Sequence, residues 1–278
     1  MPTVALVTGS NQGLGFALVE CLCRTLGTGA VVYLTARDAE RGAQAVQRLR
    51  DENLSPTLHP LDVTDDASVA ALALTVRARH GRIDIVISNA AARISREIPQ
   101  AEQVARFVDT NDHGTFLMIR AFAPLLHDGA RFLVVASAFG SLLNLAPTLH
   151  ARFDVASRSL DDIERVMDDY AHLVQKGGAE ADGWPAWINI ASKIGQVASM
   201  KIVARLMKDD AQRRGILINA VRPGLVDPEA SRPWFDDVSS VRSPLEAAGD
   251  VIWLAILPVG TVTPYGELVQ SRRLIPWL

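Results

Sequence analysis

The chain has 278 residues, of which 49% are hydrophobic and 21% charged, a balance close to the globular average that excludes a disordered or fibrous chain. A formal net charge of −3 argues against a nucleic-acid or membrane-surface role. No apolar stretch approaches the roughly 20 residues needed to span a bilayer. Cys21 and Cys23 stand two apart in an apolar helical run and point to different faces, so no mutual disulfide is expected. A reducing, cytoplasmic setting fits, and the apolar start runs straight into a glycine-rich turn rather than a signal peptide.

In chain order, strands are expected at 3–8 (TVALVT), 30–36, 57–63, 83–88, 131–137, 216–222 and 266–271. Helical segments fall between them near 14–26, 38–52, 65–80, 100–127, 186–213 and 244–257. The strand runs are nearly continuous in Val, Ile, Leu and Ala, as a parallel sheet covered on both faces requires. The alternation predicts an α/β, Rossmann-type doubly wound parallel sheet of about seven strands with helices on both faces, in a single domain spanning 1–278. Residues 141–183 break the rhythm. Within them SRSLDDIERVMDDYAHLVQ puts Leu160, Ile163, Val166, Met167 and Tyr170 on one side, a surface helical insertion beside the cleft and a candidate wall for it.

The first strand ends in TGSNQGLG, just before the apolar helix FALVECLCRTL. Gly9, Gly13 and Gly15 permit a tight bend and let the backbone approach phosphate oxygens, and the helix N-terminus adds unpaired N–H groups and partial positive charge. Ser10, Asn11 and Leu14 belong to the same turn.

With that turn the chain resembles the short-chain dehydrogenase/reductase family over nearly its whole length. TGSNQGLG looks like the family's TGxxxGxG. LDV (61–63) resembles the segment whose Asp62 bonds adenine, with Val63 beside the ring. SNAA (88–91) resembles the NNAG motif and supplies Asn89 and Ala90. TNDHGT (110–115) carries Asn111 at the catalytic-Asn position, and VVASAFG (134–140) places Ser137 at the catalytic serine. SKIG (192–195) supplies Lys193, and RPGLV (222–226) places Pro223, Gly224 and Val226 beside the nicotinamide. Within the family the look is of the monomeric carbonyl reductases, through LTARD, the insertion, GWP and LAILP. The resemblance therefore implies a monomer and a small-molecule substrate.

After the second strand, Arg37 suits a 2′-phosphate, whereas Asp38 comes one position late and suits a helix N-cap. NADP(H) is expected ahead of NAD(H), although Asn11 and Gln12 stand where many NADP-binding relatives carry a base. No metal site is assigned.

The resemblance implies that Ser137 polarises a carbonyl, Lys193 holds ribose, and Asn111 helps keep a relay water in place. The family's tyrosine, four before the lysine, falls on Asn189, whose amide cannot donate a proton. Tyr33, Tyr170 and Tyr265 all lie elsewhere, so no small shift restores it. His150, Asp154 and Tyr170 in the insertion are candidate substitute acids, and His113 should point away from Asn111. Pro228 stands where the family carries a nicotinamide-binding Thr, and Trp187, Trp234 and Phe235 are candidates for an apolar lining. Three readings stay open. One is an NADP(H)-dependent oxidoreductase acting on a carbonyl, imine or alcohol with an altered proton path. Another is a non-redox enzyme such as a cyclase or isomerase. The third is an NADP(H)-binding protein.

Overall fold

A computed structural model of the chain describes residues 2–226 and 241–278. Its strands are β1 (Val4–Val7), β2 (Val31–Ala36), β3 (Thr57–Pro60), β4 (Ile83–Ser88), β5 (Leu126–Val135), β6 (Leu217–Val221), β7 (Leu268–Gln270) and β8 (Arg273–Ile275). They make one sheet in the order β3-β2-β1-β4-β5-β6-β7-β8, parallel except for the last pair. The helices are α1 (Gly13–Leu26), α2 (Ala39–Asp51), α3 (Asp66–His80), α4 (Gln100–Val108), α5 (Gly114–Phe122), α6 (Leu160–Gln175), α7 (Ile188–Arg214) and α8 (Pro244–Ala255). None is long and apolar enough to cross a membrane among the described residues.

Alternation along the strands divides the core into two layers. Ala5 and Val7 of β1 face one way with Leu18 of α1, Val46 of α2 and Val251 of α8. Val4 and Leu6 face the other way with Leu72 of α3, Phe122 of α5 and Met200 of α7. Strand order reverses where β1 meets both β2 and β4. That reversal opens a crevice at the carboxyl ends of the strands, where ligands of such sheets bind.

Three expectations need correction. The sheet has eight strands rather than about seven, because Ser271 and Arg272, both at positive φ, turn the chain back in a two-residue hairpin. Neither is a glycine or asparagine, so the usual hairpin signal is missing. The helix expected over 100–127 is broken by a π turn at Asp109–His113 and ends at Phe122, before Pro124. The insertion is not a cleft wall among the described residues. Ile163, Met167 and Tyr170 of α6 are fully buried in a third core with Ile194 and Ala198 of α7 and Val104 and Phe107 of α4. It covers the outer side of α7, since its apolar stripe needs an apolar partner.

Candidate active site

Two cavities meet at the carboxyl ends of the strands. The first, about 520 Å³, is bounded by the β1–α1 turn through Gly9, Asn11, Gly13, Leu14 and Gly15. Gly9 and Gly13 sit at φ +59° and +55°, the left-handed region that favours glycine. A Cβ on Gly15 would lie 2.4 Å from the Gly9 carbonyl oxygen and 2.7 Å from Asn89 Nδ2. Thr8 Oγ1 accepts from the N–H groups of Asn89 (2.8 Å) and Ala90 (2.9 Å), and Asn89 Nδ2 donates to the Thr8 carbonyl (2.9 Å). The ends of β1 and β4 are thereby laced together beneath the turn. No side chain caps α1 and its first turn carries no acid, so the positive end of the helix borders the cavity unneutralised. That combination fits a bound anion.

Ser10 departs from expectation. Its hydroxyl donates to the Val7 carbonyl (2.9 Å) and accepts from Thr35 N–H (2.8 Å), so it ties the turn to β2 and does not line the cavity. Arg37, Asp62, Val63, Asn89 and Ala90 all line it. The Arg37 guanidinium is 72% exposed at the rim, 4.0 Å from Asp62. Asp38 caps α2, accepting from Arg41 N–H at 3.0 Å. Arg93 and Arg106 also line the cavity and were not anticipated; nothing in their local sequence marks them.

The second cavity, about 480 Å³, is a cleft lined by Ser137, Phe139, Trp187 and Asn189 together with Pro223, Gly224 and Val226. Val226 borders both cavities. Trp187 packs edge-on against Phe139, with ring centroids 4.9 Å apart, which makes it an apolar wall of the cleft. Ser137 caps the short turn Ala138–Gly140 at the end of β5.

Lys193 also lines both cavities and joins them. It is 8% exposed, and its Nζ donates to Gln196 Oε1 (2.6 Å) and the Val135 carbonyl (3.4 Å). Burial pushes its pKa down to about 8. Gln196 Nε2 donates to Thr115 Oγ1 (2.9 Å), which donates to the Asn111 carbonyl (2.6 Å). The Asn111 side chain, wholly buried, accepts from Ala92 N–H (2.9 Å) and donates to Ser192 Oγ (3.0 Å). Gln196 and Thr115 are the members of this arrangement that the sequence reading missed. Their only local signal is spacing, three after Lys193 and four after Asn111 on their helices.

A family model described as short chain dehydrogenase matches residues 3–146. Carbonyl reductase (NADPH) 1 of Macaca fascicularis is 34% identical, covering 99% of this chain and 98% of the relative. The Homo sapiens protein of the same name is 34% identical over the same shares. The chain belongs to the short-chain dehydrogenase family. Among solved structures, salutaridine reductase from Papaver somniferum superposes with a TM-score of 0.81 at 25% identity, covering 96% of this chain and 99% of that one.

In this short-chain dehydrogenase the candidate substitute acids of the insertion lie away from the cleft. Tyr170 is fully buried against Trp184, His150 Nε2 donates to the Leu145 carbonyl (3.0 Å), and Asp154 accepts from the Ser157 hydroxyl and Ala156 N–H. His113 turns outward to Glu164 and Asp168 of α6, as anticipated, and the Glu164 hydrogen bond holds its pKa up to about 9. Pro228, Trp234 and Phe235 lie outside the described residues.

Behind Lys193, Asp112 is buried against Gly195, where a Cβ would come within 2.2 Å of Oδ1. Burial pushes its carboxyl well above the usual carboxylate range, against the opposing pull of the Ser192 hydroxyl. The folded chain thus binds this proton more tightly than the unfolded chain. Its contribution to stability falls by ~1.4 kcal/mol per pH unit as pH rises above the unfolded pKa of about 4, until the folded pKa is reached. Asp112→Asn removes that slope. Urea melts should show the variant gaining on the parent from pH 4 to pH 7.5; parallel profiles would mean Asp112 is ionised in the fold.

Proposed function

We propose that this short-chain dehydrogenase is an NADP(H)-dependent oxidoreductase for a carbonyl, imine or alcohol, working with an altered proton donor. The carrying observation is the placement of Lys193. It borders both cavities and lines the cleft together with Ser137, while the position one helical turn before it, also lining the cleft, holds Asn189. The family tyrosine falls on that position, so the cofactor pocket is retained and the intrinsic acid is not.

The residues present fit the cofactor. The β1–α1 turn and the N-terminus of α1 hold the pyrophosphate, Asp62 and Val63 flank the adenine, and Asn89 and Ala90 lie along the adenosine. Lys193 binds the nicotinamide ribose, beside Pro223, Gly224 and Val226. Arg37 takes the 2′-phosphate, a choice supported by Asp38 being committed to the α2 cap and by the NADPH in the relatives' names. Bound there, the reduced nicotinamide supplies a hydride equivalent. Ser137 hydrogen-bonds the substrate oxygen, and the Asn189 amide can donate to that oxygen without protonating it. The presence of Ser137 and Asn189 on one cleft favours turnover over mere cofactor sensing. The chain acts as a monomer in the cytoplasm on this reading.

Fluorescence titration with NADPH and NADH tests it. The parent should prefer NADPH, and Arg37→Asp should weaken NADPH by ~10–100-fold, the worth of charge-assisted hydrogen bonds to a phosphate. Failure of the parent to bind NADPH would overturn the reading.

A further inference from the structure

We propose that Lys193 is itself the acid of this site, its ammonium protonating the substrate oxygen directly in the space that Asn189 leaves on the cleft wall, with Gln196 as the positioning residue that presents it. This rests on the oxidoreductase reading above and names the source of its proton.

The ionisable groups lining the cleft, among the described residues, are Arg93, Arg96, Glu97 and Lys193. Guanidinium groups do not release protons in proteins. The Glu97 carboxylate accepts from the Ser95 hydroxyl, which holds its pKa below the ordinary value and keeps it ionised. Asn189 offers only an amide. Among the described lining residues, Lys193 is the group left that carries a transferable proton.

Its surroundings suit that task. Lys193 makes no ion pair among the described residues, and its two acceptors are the neutral oxygens of Gln196 and Val135. A neutral amide orients an ammonium without retaining its proton as a carboxylate does. Burial at the junction of β5, α7 and the π turn brings the pKa near 8, close to what an acid working at neutral pH requires. Of the charges around it, Asp112 in the π turn raises the lysine's pKa when ionised, but its own burial favours the neutral acid. Arg37, Asp62, Arg93 and Arg106 border the cofactor side, and Arg93, Arg96 and Glu97 the cleft side. The chain Lys193–Gln196–Thr115–Asn111 passes through an amide that cannot relay a proton at ordinary pH, so it anchors the lysine rather than refilling it.

The step balances simply. The carbonyl carbon gains the hydride that the reduced nicotinamide supplies, and the C=O π pair moves onto oxygen. That oxygen forms an O–H bond as one Nζ–H bond of Lys193 breaks with its electrons left on nitrogen. The neutral amine then recovers a proton from solvent in the cleft. An iminium substrate takes hydride with no proton, so its reduction bypasses the lysine's titration.

The chain contains four lysines, Lys176, Lys193, Lys201 and Lys208, which makes a ¹³Cε NMR titration tractable without cofactor or substrate. Lys193→Met identifies the resonance. The parent should titrate near 8, and Gln196→Glu, which places a carboxylate beside the ammonium, should raise that value by ~1–3 units. The high-pH fall of ketone reduction should move by the same amount, and iminium reduction should lack it. Gln196→Met, which keeps bulk and removes the acceptor, should lower turnover number for a ketone more than KM. A lysine titrating near 10.5, or a ketone profile that ignores Gln196→Glu, would overturn the proposal. The NMR titration needs no cofactor, so its outcome stands apart from the NADPH binding that tests the oxidoreductase reading.

Discussion

Asn189→Tyr is expected to raise kcat/KM for ketone reduction by ~10²-fold, the lower end of what a positioned general acid contributes and equivalent to about 3 kcal/mol of barrier. Position 189 lines the cleft together with Pro223 and Gly224 and stands one turn before Lys193 on α7. A phenol there lies near an ammonium that lowers its pKa from about 10, making it a competent donor at neutral pH. The gain is held to the lower end because Lys193 already supplies a proton. An iminium should gain little, since it needs none. Equal stimulation of both substrates would mean that the tyrosine improves binding rather than proton supply. No stimulation of ketone reduction would mean that Asn189 is not the missing acid's position.

Gly15→Ala should abolish usable cofactor binding, weakening NADPH by more than ~10²-fold, and should destabilise the fold by ~1–3 kcal/mol, the usual cost of overpacking. The added methyl meets the Gly9 carbonyl oxygen at 2.4 Å and Asn89 Nδ2 at 2.7 Å. Both are fixed by the lacing between β1 and β4, so neither can give way without opening the phosphate turn. Gly13→Ala is the internal control. Nothing lies within 4 Å of its Cβ, and only the φ of +55° is strained, so its effect should be smaller. Urea unfolding together with NADPH titration separates the two. Matching losses in both variants would place the effect in backbone strain rather than in the close approach of Gly15.

The parallel sheet was legible because its strands are apolar on both faces and alternate with helices of ordinary length. The β1–α1 turn, the cap at Asp38 and the outward turn of His113 were legible because each depends on residues a few positions apart. What escaped depends on contacts between distant segments. The strand β8 follows a turn built from Ser271 and Arg272, which carry no turn signal. The stripe on α6 was correctly read as apolar, but its partner, the outer side of α7, is specified by residues that read as a continuous buried helix. Ser10 groups by sequence with the cofactor-binding turn, yet its hydroxyl bonds the backbone of β1 and β2, a choice set by sheet order. The tether of Lys193 joins Gln196 to Thr115 across 81 positions, and no local pattern announces it. A glutamine beside a lysine is an ordinary helical pair until the fold shows what stands on its other side.

The most direct test is NADPH fluorescence titration of the parent and Asn189→Tyr side by side. If position 189 governs proton supply and the pocket around Lys193 is intact, both proteins bind NADPH with nearly the same affinity. Binding that appears only in the tyrosine variant, or in neither protein, would contradict the account.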